Sequence, residues 1–202
     1  MAFIDPTQWS KKENYQFLTT AVTPRPIAWV TSLSSKGILN AAPFSYFNLI
    51  SADPPLLSVS IGRRAGELKD TARNISETGE FVVHVVDEDN VGASNETAAN
   101  LPANESEVVK TGLTEKDSHR VAVPSLKESR IRLECRLEKH LTFEGKEAMT
   151  DVIIGEIVGY DVDDEILTGD NTVDIAKLKP VSRLGGKQYA SLGAVFEIDR
   201  PN

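Results

Sequence analysis

Between Ile131 and Glu138 the side chains alternate strictly: Ile131, Leu133, Cys135 and Leu137 are apolar, while Arg132, Glu134, Arg136 and Glu138 are charged. A period of two gathers the apolar groups on one side of an extended chain and would scatter them around a helix, so the segment is predicted as a strand with one apolar and one charged face. Val152 to Val158 is nearly continuous in β-branched residues and reads as a more buried partner strand. Gly155 and Gly159 allow a bend or bulge there, of the kind a barrel uses.

The first half of the chain repeats the theme. Ile27 to Leu33 is rich in strand formers and ends at the turn sequence Ser34-Ser35-Lys36-Gly37. Residues 38 to 47 are predicted to return as the second strand of a hairpin, with Pro43 implying an edge position, a bulge or a break in the ladder. Leu56 to Ile61 reads as a strand packed on one face. Glu67 to Thr78 switches to helical spacing through Leu68, Ala72 and Ile75, and Gly79 is placed to end that helix in a left-handed conformation. Phe81 to Val86 follows as a further strand. Residues 87 to 130 are polar, with a helical excursion expected around Val91 to Ala99 and an irregular connection after it.

Length and charge narrow the class. At 202 residues, 40% hydrophobic and 26% charged, the chain is expected to form one domain over residues 1–202, with no apolar run long enough to cross a bilayer. Met1 to Pro6 does not read as a secretory signal. One cysteine, Cys135, excludes an intramolecular disulfide framework, and cytoplasmic localisation is expected. A net charge of −8 argues against nucleic acid as the main partner.

Against that acidic background Arg63, Arg64, Lys69 and Arg73 place four cations within eleven residues, a local island that wants an anion. Lys69 and Thr71 fall near the predicted helix start, where free N–H groups and the positive end of the dipole favour phosphate. Lys69 would add a point charge and Thr71 a hydroxyl. A solvated helix face, with Glu67 and Asp70 as intrahelical partners, is the competing reading. The run Asn40-Ala41-Ala42-Pro43-Phe44-Ser45 tips the balance: small residues and exposed backbone beside aromatics suit a flat ring, with Ala42 and Ser45 as the leading contacts. Thr31 and Ser32, on the adjacent strand, are further candidates for a ribityl chain or phosphate, although strand hydroxyls are often structural. A flat ring ending in a phosphate describes FMN.

Thr23-Pro24-Arg25-Pro26-Ile27, Asn40 to Ser45, Asp53-Pro54-Pro55, Lys69-Asp70-Thr71-x-x-Asn74 and Glu80-Phe81-Val82-Val83 occur in this order, followed by Arg183-Leu184-Gly185-Gly186-x-x-Tyr189. This order resembles the flavin reductase-like family of FMN-binding split barrels over residues 15 to 195. The resemblance implies a mainly β fold, a six-stranded antiparallel split β-barrel with Greek-key connections and inserted helices. It also implies a homodimer holding one FMN per subunit near the dimer interface. By the same resemblance Arg183, Gly185 and Tyr189 border the flavin pocket or the partner subunit. The residues carried forward as cofactor-binding are Thr31, Ser32, Asn40, Ala41, Ala42, Pro43, Phe44, Ser45, Arg63, Lys69, Asp70 and Thr71.

Other constellations are weak. Cys135 reads as a core residue, and His84, within a valine-rich strand, as a structural histidine. His119 and His140 lack metal-ligand spacing. The acidic run from Asp161 to Asp174 has Ile166 where a calcium loop needs glycine and Thr172 where it needs glutamate. No Gly-x-Gly-x-x-Gly follows a strand, so a dedicated nicotinamide fold is not expected. Hydride transfer to flavin needs alignment and dryness, with no catalytic triad or metal. The expected function is therefore an NAD(P)H-dependent flavin reductase, taking hydride from NADH or NADPH and serving free flavin, oxygen or a partner oxygenase. The alternatives are a non-enzymatic FMN-binding electron carrier and a barrel that binds no flavin and acts as an interaction module.

Overall fold

A computed structural model describes residues 1–201. In chain order the strands are β1 (Ala28–Leu33), β2 (Leu39–Phe44), β3 (Phe47–Ala52), β4 (Pro55–Gly62), β5 (Glu80–Val85), β6 (Glu115–Lys116), β7 (Ser125–Leu126), β8 (Ile131–Glu144), β9 (Met149–Val162), β10 (Val181–Arg183) and β11 (Tyr189–Ser191). The α-helices are α1 (Lys11–Ala21), α2 (Asp70–Thr78), α3 (Val91–Glu96), α4 (Glu107–Thr111) and α5 (Ile175–Leu178). None of them is long and apolar enough to cross a membrane.

Seven strands form one antiparallel sheet in the order β2-β1-β5-β8-β9-β4-β3. Its two edge strands, β2 and β3, are consecutive in the chain and separated only by Ser45 and Tyr46. A two-residue link between opposite edges forces the sheet to curl until its ends are neighbours. Ser60 on β4 donates its N–H to the Tyr46 carbonyl at 2.8 Å, extending the β3–β4 ladder into the link. Two register shifts between β8 and β9 assist the curl, one beside Gly159 and one beside Gly155, where the sequence anticipated a bend. Pro43 sits on an edge strand, as its missing N–H requires.

The main sheet has seven strands rather than the expected six, and the addition is β3. Leu49 and Ile50 stand side by side on β3, both exposed, so the period-two signature that marks the other strands is missing. The charged face of β8 is present, but part of it is covered. Arg132 and Glu134 are buried because the connection before β8 folds over them: His119 and Arg120 donate backbone N–H groups to Glu134, and Arg132 Nε donates to the Leu126 carbonyl at 2.9 Å.

Alternate residues of the central strands feed two apolar layers. Ala28, Val30, Phe81, Val83, Cys135 and Ile153 join Leu57, Val59 and Ile61 on the concave side, where Ala72 and Ile75 of α2 close the end. Trp29, Val82, Leu39 and Ala41 face outward and are covered by Val108, Val121, Val123 and Leu126. Gly155 permits the tightest contact of the inner layer. A Cβ there would lie 2.4 Å from Phe81 Cζ and 3.4 Å from Cys135 Cβ, and Phe81 is itself fully buried. Gly155→Ala is therefore expected to cost about 1–3 kcal/mol in urea unfolding; an unchanged midpoint would contradict this packing.

Candidate functional site

The site is built where α2 is mounted on the β1–β2 hairpin. Ala72 and Ile75 are buried in the inner layer, and two polar links fix the helix's rotation: Asn74 Nδ2 donates to Ser32 Oγ at 3.2 Å, and Asn40 and Thr71 lie 2.9 Å apart. The Asn40 amide is best satisfied with its nitrogen toward Glu107 Oε2, at 3.3 Å, and its oxygen accepting from the Thr71 hydroxyl. The helix starts at Asp70, three residues later than the predicted Glu67, because Arg64 and Glu67 close a tight turn on each other and Lys69 is extended (φ −69°, ψ 155°). Lys69 is the N-cap, with no side chain capping the first turn. The N–H groups there are left facing a recess. At the other end Gly79 takes φ 75°, the left-handed stop its type predicts.

That recess, about 240 Å³, is lined by Asn40, Ala42, Pro43, Phe44, Arg64, Glu67, Leu68, Lys69, Asp70 and Thr71, and closed by the segment from Thr97 to Leu101 and by Glu107. A second recess of about 200 Å³ shares Pro43, Phe44 and Ala98 with it and adds Ser45, Tyr15, Asn95, Arg183 and Tyr189. Each alone is smaller than a typical small-molecule pocket of roughly 300–1,000 Å³; they adjoin along Pro43, Phe44 and Ala98 as a two-part trough. Lys69 is exposed as a residue. Desolvation at the ammonium, with a smaller effect from Arg64, pulls its pKa below the ordinary lysine value. Its nitrogen lies 5.8 Å from the Phe44 ring centroid, and Lys69 has no ion pair with a carboxylate among the described residues. Asp70 is turned to Arg73 along the helix.

A family model for the flavin reductase like domain matches residues 20–174. The chain belongs to the flavin reductase-like family. An uncharacterized protein of Halalkalibacterium halodurans is 52% identical over 201 residues, covering 98% of this chain and 96% of that protein. Nitrilotriacetate monooxygenase component B from Bacillus cereus is 48% identical with a TM-score of 0.95, covering 98% of each chain. The 2-nitrobenzoate 2-nitroreductase NbaA of Pseudomonas fluorescens is 31% identical, TM-score 0.89, covering 99% of this chain and 96% of that one. The mainly β fold with inserted helices is that of the flavin reductase-like split barrels.

Within this flavin reductase-like chain the residues singled out by sequence divide into two groups. Asn40, Ala42, Pro43, Phe44, Lys69, Asp70 and Thr71 meet in the first recess, and Ser45 in the second. Thr31, Ser32, Ala41 and Arg63 line neither. Thr31 spends its hydroxyl on the Pro124 carbonyl at 2.8 Å, and Ser32 serves as the mount for Asn74. Ala41 is buried and donates its N–H to Glu107. Arg63 makes two 2.9 Å bonds to Asp151. Of the C-terminal motif, Arg183 and Tyr189 reach the second recess, the guanidinium 4.4 Å over the ring, whereas Gly185 packs against Thr20 of α1. Thr97 to Leu101 and Glu107 were not singled out; they belong to the polar excursion, and only the folding of α3 and α4 back onto β2 brings them here.

The remaining histidine and thiol are structural. His84 Nδ1 donates to the Trp29 carbonyl at 2.8 Å and its Nε2 accepts from the Leu126 N–H at 2.9 Å, and burial pushes its pKa down to about 4. Burial pushes the Cys135 thiol up, away from thiolate chemistry. Arg63 anchors a polar cluster instead of a ligand. Burial alone would raise the Asp151 carboxyl, but hydrogen bonds from Arg63, His140 and Thr142 outweigh it and hold the group at about 2, against an ordinary 3.8. A lowered carboxylate contributes stability that is complete above the ordinary value and lost as pH falls through the folded one. Asp151→Asn should therefore be less stable than wild type at neutral pH, with the two converging as pH falls from about 4 to about 2; unfolding titrations that stay parallel would contradict this.

Proposed function

We propose that the protein is an FMN-binding oxidoreductase working as an NAD(P)H-dependent flavin reductase, which transfers hydride from nicotinamide to flavin. The observation that carries this reading is the coincidence, in one trough, of an uncapped helix N-terminus, a lysine without a carboxylate partner and the apolar wall of Pro43 and Phe44. The donor set fits FMN. The free N–H groups of α2, with Lys69 and Arg64, suit a phosphate. Pro43, Phe44 and Ala98 would lie along the ring system and exclude water, and Ala42 lets backbone approach closely. Ser45, Arg183 and Tyr189 lie where the second recess would receive the ring.

Bound FMN would supply the two-electron acceptor, so the chain itself need only hold the rings in register and keep the contact dry. The ion pair with Arg73 would offset the Asp70 carboxylate at a bound phosphate. Likeness to a protein named as a monooxygenase component supports an oxygenase as recipient of the reduced flavin. We place the protein in the cytoplasm as a homodimer, with residues 1–202 as one flavin-binding domain; the exposed apolar groups on α1 and β3, among them Phe17, Leu18, Leu49 and Ile50, support association.

Protein incubated with FMN, desalted and examined without oxygen is expected to retain visible flavin bands that bleach on addition of NADH or NADPH. Retained bands that do not bleach would instead identify an electron carrier, and no retained flavin would count against the site. Lys69→Ala should weaken FMN by roughly tenfold or more, the scale of one charge-assisted hydrogen bond, while riboflavin, which lacks the phosphate, is little affected. Equal affinity of variant and wild type for FMN would remove the phosphate role of Lys69.

A further inference from the structure

Glu107 is a buried carboxylate at the start of α4, only 6% exposed, and it faces the same recess as Lys69 and Phe44. Its protein donors are few and distant. Ala41 N–H and the Asn40 amide both approach one oxygen, Oε2, each at 3.3 Å. The other oxygen, Oε1, receives no hydrogen bond from another residue among the described residues. Glu107 forms no ion pair there, Lys110 acting only through space. Desolvation raises its pKa, with the local backbone N–H groups and Lys110 opposing. Glu107 lines the recess, so a carboxylate oxygen without a side-chain donor is open to a hydrogen bond from a group held there.

The neighbouring groups bear on what could donate there. Thr71 commits its hydroxyl proton to Asn40 Oδ1, so its side chain offers lone pairs to the recess, and its backbone N–H remains for an anion. From Thr71 through Asn40 to Glu107 the wall thus ends in acceptors, whereas Lys69, Arg64 and the α2 N-terminus present donors, beside the carboxylates of Glu67 and of Asp70, the latter paired with Arg73. Phosphate suits the donor side and is repelled by the carboxylate. The acceptor side suits hydroxyl groups carried close to that phosphate.

We propose that Glu107 is a specificity-determining residue that accepts hydrogen bonds from the hydroxyls of a flavin's ribityl chain, so that the site selects flavins by their polyol as well as their phosphate. This rests on the FMN reading of the trough. The two sides read different parts of one molecule, with Lys69 sensing the phosphate and Glu107 the chain.

The test is a set of fluorescence titrations of wild type, Glu107→Ala, Glu107→Gln and Lys69→Ala with FMN, riboflavin and lumiflavin, the last lacking the ribityl chain. Glu107→Ala is expected to weaken both FMN and riboflavin by roughly tenfold and to leave lumiflavin unchanged, with Glu107→Gln intermediate. Lys69→Ala should weaken FMN alone. Unchanged binding of FMN and riboflavin by Glu107→Ala, or an equal loss for all three flavins, overturns the proposal. Wild type serves where the variants fold poorly: riboflavin bound no better than lumiflavin overturns it without any substitution. Wild type that fails to bind FMN removes the underlying site and this inference together, whereas retained FMN affinity with no polyol preference removes only the inference.

Discussion

The mounting of α2 on the first hairpin is the interaction on which the site depends. Ala72 and Ile75 anchor the helix in the inner apolar layer, and apolar burial alone would leave its rotation loosely set. The links from Asn74 to Ser32 and from Thr71 to Asn40 set it. They aim the uncapped N-terminus at the recess beside β2. The strand hydroxyl at Ser32 thus acts through helix position, which is why a residue that touches no cavity still matters to one.

The second constraint is the seam. Because β2 runs into β3 after two residues while the two strands occupy opposite edges of the sheet, the chain at Pro43 to Tyr46 must bridge the ends of a curled sheet. Pro43 and Phe44 lie at the end of β2 with a recess on either hand. An apolar ledge between two pockets is a consequence of closing the sheet there, and a flat ring laid across it would touch both.

Much of this was legible in the sequence, and the limits have physical causes. The alternation from Ile131 to Glu138, the Gly79 helix stop, the edge position of Pro43 and the bulges near Gly155 and Gly159 follow from local chemistry. The seven residues from Asn40 to Thr71 that meet in the first recess were visible as a pattern of small, aromatic, cationic and hydroxyl types. Four others were not separable from them. Thr31, Ser32, Ala41 and Arg63 have the right chemistry, but their partners, Pro124, Asn74, Glu107 and Asp151, are distant in sequence. Strand β3 escaped because its apolar residues are exposed. Helix α1 did carry a local signal, the reciprocal Ser10–Glu13 capping box. Glu107 and the Thr97–Leu101 segment had none, since only tertiary folding turns them toward β2.

The proposed flavin site joins an anion-binding end to an apolar ledge, both oriented by α2, in an otherwise acidic protein. A crystal structure of the protein soaked with FMN tests it most directly. Phosphate density is expected at the N-terminus of α2, within hydrogen-bond reach of its free N–H groups and Lys69, with the ring along Pro43 and Phe44. Flavin density anywhere else, or a phosphate directed away from Lys69, would contradict it.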